Sequence, residues 1–237
     1  MGKSKIVLAV GNASATSSAE GAGVSINEIA ASPKTRMVVM PHEEEARRHF
    51  EAYALALGIV AHAWNYLFEK LGGLFVAVVG GHPNIPTAVW YAPDSDRTKI
   101  AMLRAAMKSS PDHRWKPERP SAKDDVKWLA AEVNALMDLR NDLIHAPCSL
   151  ITDADGTSMA ASPLSGHNRA KKLWGKEILV EFDWCERWTE ELARFTRSME
   201  SAILWPERAW PDRPKTLDRT PKKALLARLL PPTNKKR

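Results

Sequence analysis

Apolar residues recur at steps of three and four through Phe50, Ala54, Leu57, Ala61, Trp64, Phe68, Leu71 and Phe75. That period predicts an amphipathic helix. Glu43, Glu44 and Glu45 suit its N-terminus, where carboxylates complement the helix dipole. Gly80-Gly81 should stop it, with a break expected at Gly72-Gly73. Pro86 can open a short helical piece through Tyr91, and Asp94 or Ser95 can cap a second helix over 96–108. Three prolines make 110–120 a connection.

Ser121 is a good N-cap for the next helix, with Asp124 and Asp125 in its first turn. Its apolar residues are Val126, Leu129, Val133, Leu136, Met137, Leu143 and Ile144. Pro147 disfavours helical backbone at Ala146, so this helix should end near His145. Residues 149–152 and 157–161 flank an Asp-Ala-Asp-Gly turn and could form a small hairpin. Residues 162–176 read as loop, and 178–182 as a short strand or the start of a helix. Asp183 with Glu186 resembles a capping box for the last long helix. Its stripe is Cys185, Trp188, Leu192, Phe195, Met199 and Ala202, and Pro206 stops it. The pattern predicts an all-α bundle of four to five helices, with a small hairpin or loop insertion before the last one.

The flanks read differently. Residues 1–40 are rich in Ala, Ser and Gly without a sustained period, and are expected to be disordered. The folded domain is expected over 41–204. Residues 205–237 hold ten basic and three acidic residues and six of the sixteen prolines. The other 204 residues hold 24 basic and 25 acidic ones, so the net charge of +6 belongs to this basic, proline-rich tail. Such a tail can hold a polyanion by counterion release, or simply keep the chain soluble. No apolar run is long enough for a membrane span or a signal peptide. Two cysteines make neither a disulfide framework nor a four-ligand zinc site, which fits a reducing cytoplasm.

Most enzyme signatures are missing: no Walker loop, no dinucleotide-binding glycine pattern, no HExxH and no nucleophile elbow. No cofactor or metal is implied. Asp153-x-Asp155-Gly starts like a calcium loop but lacks the acidic twelfth residue, so it reads as an ordinary turn. One site breaks the pattern of its own helix. At about 100° per residue, Arg140 falls inside the apolar arc of Val126, Leu129, Val133, Leu136, Met137 and Ile144. A guanidinium there must be paired, sit in a cleft or face a second subunit, because burying it alone is unfavourable. Asn141 lies beside the stripe, and His145 is one turn further on the same face, within hydrogen-bonding reach of Asn141.

The run Arg140-Asn141-Asp142-Leu143-Ile144-His145 resembles the signature of the HEPN superfamily (higher eukaryotes and prokaryotes nucleotide-binding). That signature is an Arg, four to six residues, then a His, with a polar residue, often Asn, directly after the Arg. The spacing alone is weak, since Arg36 and His42 also meet it. Asn141 and the helical setting make it sharper. The resemblance covers about residues 43–204. It implies a helical bundle that dimerises, placing two copies of the motif in one composite cleft. It also implies metal-independent ribonuclease activity with Arg140, Asn141 and His145 as catalytic residues. RNA would be the substrate, and a toxin or defence role with an inhibitor or antitoxin protein would fit. The residue types suit the chemistry: histidine can act as base and acid near neutrality, and arginine forks onto phosphate oxygens. A HEPN-like domain that binds RNA or nucleotide without cutting, and a helical protein-interaction module with a basic tail, remain alternatives.

Other residues carry weaker signals. His62, Asn65 and Glu69 share a flank of the first helix and are expected to face solvent. Cys148 follows His145 by three residues, so a Cys–His pair is conceivable, but a structural thiol is the plainer expectation. Trp64, Trp128, Trp174, Trp184 and Trp188 read as core or interface, while Trp205 and Trp210 could stack on bases.

Overall fold

The computed structural model describes residues 43–110, 121–153, 156–162 and 168–230. The expected disorder of 1–40, most of the proline-rich connection and the centre of the Asp-Ala-Asp-Gly turn lie outside them. The described chain is mostly helical, with one two-stranded sheet. In order the elements are α1 (Glu43–Val79), α2 (Asn84–Tyr91), α3 (Asp96–Ser109), α4 (Ala122–His145), β1 (Cys148–Asp153), β2 (Gly156–Ala161), α5 (Asn168–Lys172), α6 (Ile178–Leu204) and α7 (Lys222–Leu229). The two long helices α1 and α6 form the main pair. α4 packs on α6, α3 on α4, and α2 on α1. Among the described residues no helix is long and apolar enough to cross a membrane.

α1 runs unbroken through Gly72 and Gly73 and ends before Gly80 and Gly81, both at positive φ. The two inner glycines are there for close approach. A Cβ at Gly72 would sit 2.8 Å from Trp90 Nε1, and one at Gly73 would sit 2.5 Å from Glu200 Oε1. From Trp64 onward the buried face follows the expected stripe. Before it, the stripe is displaced: Phe50 and Ala54 are exposed and Leu57 and Ala61 only half-buried, while His49, Ala52 and Val60 are buried. Alanines and leucines on every side of 52–59 let two registers fit there. The packing of Tyr53 edge-on to Phe182, at 5.5 Å, goes with the observed one.

α4 and α6 bury the stripes expected of them, with Ile144 only half-buried. Ala146 is extended at ψ 130°, as Pro147 requires, and its N–H closes the helix onto Asp142 O at 2.9 Å. β1 and β2 pair antiparallel, from Cys148 opposite Ala161 to Asp153 opposite Gly156. Two features differ from expectation. The 162–176 loop contains the short helix α5. α6 starts at Ile178, so of the two readings of 178–182 the helix start holds, but Asp183 lies inside the helix and is not its cap, the N-cap position being Glu177. All of Ile178, Leu179, Val180, Glu181, Phe182 and Asp183 are buried, and six consecutive buried residues show no helical period.

Those acids are buried because the basic C-terminal segment lies along the bundle as a strap. Arg219 forks onto Glu181 at 2.5 and 2.9 Å. Asp183 accepts from Arg228 at 2.5 Å, Thr220 at 2.7 Å and Arg187 at 2.9 Å. On α4, Asp125 accepts from Arg213 at 2.5 Å and from Trp210 Nε1 at 2.7 Å. Trp184 Nε1 donates to Leu217 O, and Leu225 of α7 is fully buried. Three of the arginines expected of a polyanion-binding tail, Arg213, Arg219 and Arg228, are thus engaged by the body's own carboxylates.

Candidate functional site at the end of α4

The last two turns of α4 carry Arg140, Asn141, Asp142 and His145. Arg140 is half-buried. Its guanidinium carbon lies 5.4 Å from the centroid of the Trp64 ring, a cation–π arrangement. Trp64 is itself fixed, donating Nε1–H to Asp96 Oδ2 at 2.9 Å. Arg140 Nη1 donates to Asn141 Oδ1 at 3.2 Å, and its buried Nε has no hydrogen-bond partner. Among the described residues no carboxylate pairs with it. Its charge reaches inward as well: burial pushes the Cys185 thiol up to about 12, against the pull of Thr189 and of Arg140. Arg140 is therefore partly covered within the protomer, and its place on the apolar stripe does not by itself require a second subunit.

Asn141 turns to Arg140, not to His145. Its backbone carbonyl accepts from Arg169 Nη1 of α5 at 2.9 Å. Asp142, which sequence periodicity did not mark as buried, is held by Lys172 Nζ at 2.9 Å. α5 is thereby fastened across the motif. His145 is exposed, and its imidazole has no hydrogen-bond partner among the described residues. The helix end thus offers a guanidinium lacking a counter-ion, a side-chain amide that braces it, and an accessible imidazole. Two clefts, of about 250 and 320 Å³, lie elsewhere and are lined by no motif residue. Within the motif His145 is exposed, Arg140 and Asn141 are half-buried and Asp142 is buried.

Cys148 does not turn to His145. Its Sγ donates to Ala146 O at 3.3 Å, and burial raises the thiol above its ordinary pKa, a hydrogen bond with Tyr53 opposing. A half-buried thiol with a raised pKa is a poor nucleophile. His62, Asn65 and Glu69 are exposed on α1, and Glu69 pairs with Lys70 at 2.7 Å. Among the described residues no group of three or more His, Cys, Asp or Glu could hold a metal ion.

One polar pair was invisible in the sequence. His49 is buried and donates Nδ1–H to Glu45 O at 2.9 Å, leaving Nε2 without a partner. Near it Glu177 takes the N–H of Met159 at 3.1 Å. Burial raises the Glu177 carboxyl, against the pull of Met159, Lys222 and His49. The two residues are 128 positions apart, and no periodicity links them.

Comparison with known proteins yields no match: no family model, no curated protein and no solved structure is similar to this chain.

Proposed function

We propose that the chain is a metal-independent endoribonuclease of HEPN type, acting as a homodimer through Arg140, Asn141 and His145. The observation that carries this reading is Arg140: a half-buried guanidinium braced by a neutral amide and an indole, with no carboxylate among the described residues to neutralise it. A cation kept in that state retains its field for an incoming anion.

The reaction divides among the three residues. The 2′-hydroxyl of RNA attacks the adjacent phosphorus, forming O2′–P and breaking P–O5′. The imidazole of His145 takes the 2′ proton as base in one copy. The second copy's imidazole, protonated, gives a proton to the departing 5′ oxygen. One chain has only one such histidine, which is the chemical reason for two copies. Arg140 neutralises the charge gathering on the pentacovalent phosphorus. Asn141 holds the guanidinium through Oδ1 and keeps its NH₂ for a phosphate oxygen. The products are a 2′,3′-cyclic phosphate and a 5′-hydroxyl, and DNA, lacking the nucleophile, is spared. A toxin or defence role, with an inhibitor protein as partner, follows from the same resemblance.

The test is cleavage of single-stranded RNA in EDTA by the wild type, His145→Ala and Arg140→Ala, each confirmed folded by circular dichroism. Loss of His145 should slow cleavage by about 10²–10⁴-fold. Light scattering should show a dimer at micromolar concentration. If both variants cut as the wild type does, or if the wild type never cuts, the nuclease reading falls. Binding without cutting then leaves an RNA-binding domain; neither leaves an interaction module.

A further inference from the structure

We infer that the turn following α5 is a platform for single-stranded RNA, where Trp174 stacks an unpaired base and Lys171 holds a flanking phosphate. The inference rests on the nuclease reading for its place beside the substrate path, and on its own geometry for the rest.

The turn is built to present one aromatic ring. Ala170 and Leu173 are fully buried and anchor it to the core. Leu173 N–H donates to Ala170 O at 3.0 Å, Trp174 N–H to Lys171 O at 3.3 Å, and Gly175 closes the turn at φ 75°. Between these anchors the Trp174 side chain is left 48% exposed. Of the described tryptophans, the others are buried or half-buried, except Trp205. An indole held on a hydrogen-bonded turn loses little freedom on binding, so its stacking energy is realised as affinity.

Charge selects the occupant. Residues 169–176 contain Arg169, Lys171, Lys172 and Lys176, and no acid. Arg169 and Lys172 fasten the turn to Asn141 O and Asp142, which places it directly against the motif. Lys172 is exposed outside its contact with Asp142, and Lys176 reaches Glu181 only at 3.9 Å. The Lys171 side chain is exposed, with no partner among the described residues. Protein interfaces are depleted of lysine at their centres, whereas basic side chains around an aromatic face are how single strands are held. The indole needs a base whose face is open. An A-form duplex stacks its bases inside and offers none, so the substrate class is single-stranded RNA.

The test measures binding apart from cutting. The probe is a fluorescein-labelled 12-nucleotide single strand carrying 2′-O-methyl groups, which removes the nucleophile. Fluorescence anisotropy is read for the wild type, Trp174→Ala, Trp174→Phe and Lys171→Glu, with circular dichroism as the fold check. Trp174→Ala should weaken binding by about 5- to 100-fold, the range for one stacked base. Trp174→Phe should recover most of it, since the ring face is kept. Lys171→Glu should weaken binding and flatten its salt dependence. A duplex of the same sequence should bind with little dependence on Trp174. Equal single-strand affinity in the wild type and Trp174→Ala overturns the platform, as does a wild type that binds no RNA. So does a Trp174→Ala effect confined to oligomeric state. Trp174-dependent binding in a protein that never cuts natural RNA removes the nuclease and keeps the platform. Normal cutting with Trp174-independent binding does the reverse.

Discussion

Four arginines meet the body of this protein in two ways. Arg213, Arg219 and Arg228 of the C-terminal strap each end on a buried carboxylate, respectively Asp125, Glu181 and Asp183. Arg140 ends on an amide oxygen and an indole face. The strap arginines neutralise their partners, so their charge is spent inside the fold and exerts little field on a polyanion. Arg140 neutralises nothing. A count of basic residues picks out the tail; pairing shows that three of its arginines are neutralised, whereas among the described residues Arg140 has no carboxylate partner.

The largest test of that contrast is to delete residues 205–237. A sequence reading that ends the core before Pro206 expects the bundle to survive. In the structure the deletion removes Arg213, Arg219 and Arg228 from Asp125, Glu181 and Asp183, leaving Asp183 to Arg187 and Glu181 to Lys176, and it strips Trp210, Leu217 and Leu225 from the core they pack against. Each half-exposed pair is worth less than the about 3–5 kcal/mol of a fully buried one, but the apolar cover of Trp210, Leu217 and Leu225 goes with all three, and together these losses approach a domain's whole stability. The truncated chain should lose its cooperative unfolding transition in calorimetry. A truncated chain that melts as the full one does would make the strap an ornament, and its arginines available to RNA after all.

The next effect splits the two classes. Arg140→Ala should lower cleavage by about 10²–10³-fold, the range for removing one transition-state charge contact. It should change stability by only about 1 kcal/mol, through the lost contact with Trp64. Arg219→Ala should do the opposite: a loss near 2 kcal/mol by urea unfolding, less than for a fully buried pair because Arg219 is 46% exposed, with cleavage nearly intact. If Arg140→Ala unfolds the chain while cleavage per folded molecule is unchanged, Arg140 is a structural cation like the others.

How much of this was legible in advance follows from what range of contact made it. The stripes of α4 and α6, the stop at Pro147, the hairpin and the Arg140–His145 run are local patterns, and they stand where spacing puts them. The first residues of α6 read equally as strand or as helix start in the sequence, because 178–183 are all buried and show no helical period. The partners of the motif were not legible because they are distant in the chain: Trp64 lies on α1, and Lys172 sits in a helix of five residues inside an apparent loop. The strap read as a tail because proline and arginine are frequent there. Only the acids that receive it, 38 to 88 positions upstream, reveal its role.

Acid should separate the strap from the motif by pH. Burial pushes the Asp183 carboxyl up, but hydrogen bonds from Thr220, Arg228 and Arg187 outweigh it and hold the group below its ordinary value. A carboxyl with a depressed folded pKa binds protons more readily unfolded. Its stabilisation is therefore full above the unfolded value, near pH 3.9, and is lost as pH falls through the lower folded one. Asp183→Asn should cost about 2 kcal/mol at pH 7, and the gap to the wild type should close at the acid end of a urea-unfolding series. Glu177, Glu186 and Glu200 run the other way: burial raises each, so their contribution is full at low pH and declines as pH rises through the raised values. A gap that stays constant down to pH 2 would mean that the charge of Asp183 does not hold the strap.

The smallest expected effect is the sharpest for geometry. Arg219→Lys keeps a positive charge beside Glu181 and removes the fork that makes two bonds to it, at 2.5 and 2.9 Å. Lys176 already stands 3.9 Å from the same carboxylate, so the charge balance there hardly changes. The loss should be about 0.5–1 kcal/mol, the worth of one charge-assisted bond at a half-exposed site. Arg140→Lys makes the same chemical change where no carboxylate waits. An ammonium keeps the charge but can neither fork onto two phosphate oxygens nor stack as a plane on Trp64. Most cleavage should therefore be lost in Arg140→Lys, although its charge is conserved and its stability is close to that of the wild type. A fully active Arg140→Lys would show that a point charge suffices at the end of α4. The two classes of arginine would then differ in what they face, and not in the geometry they need.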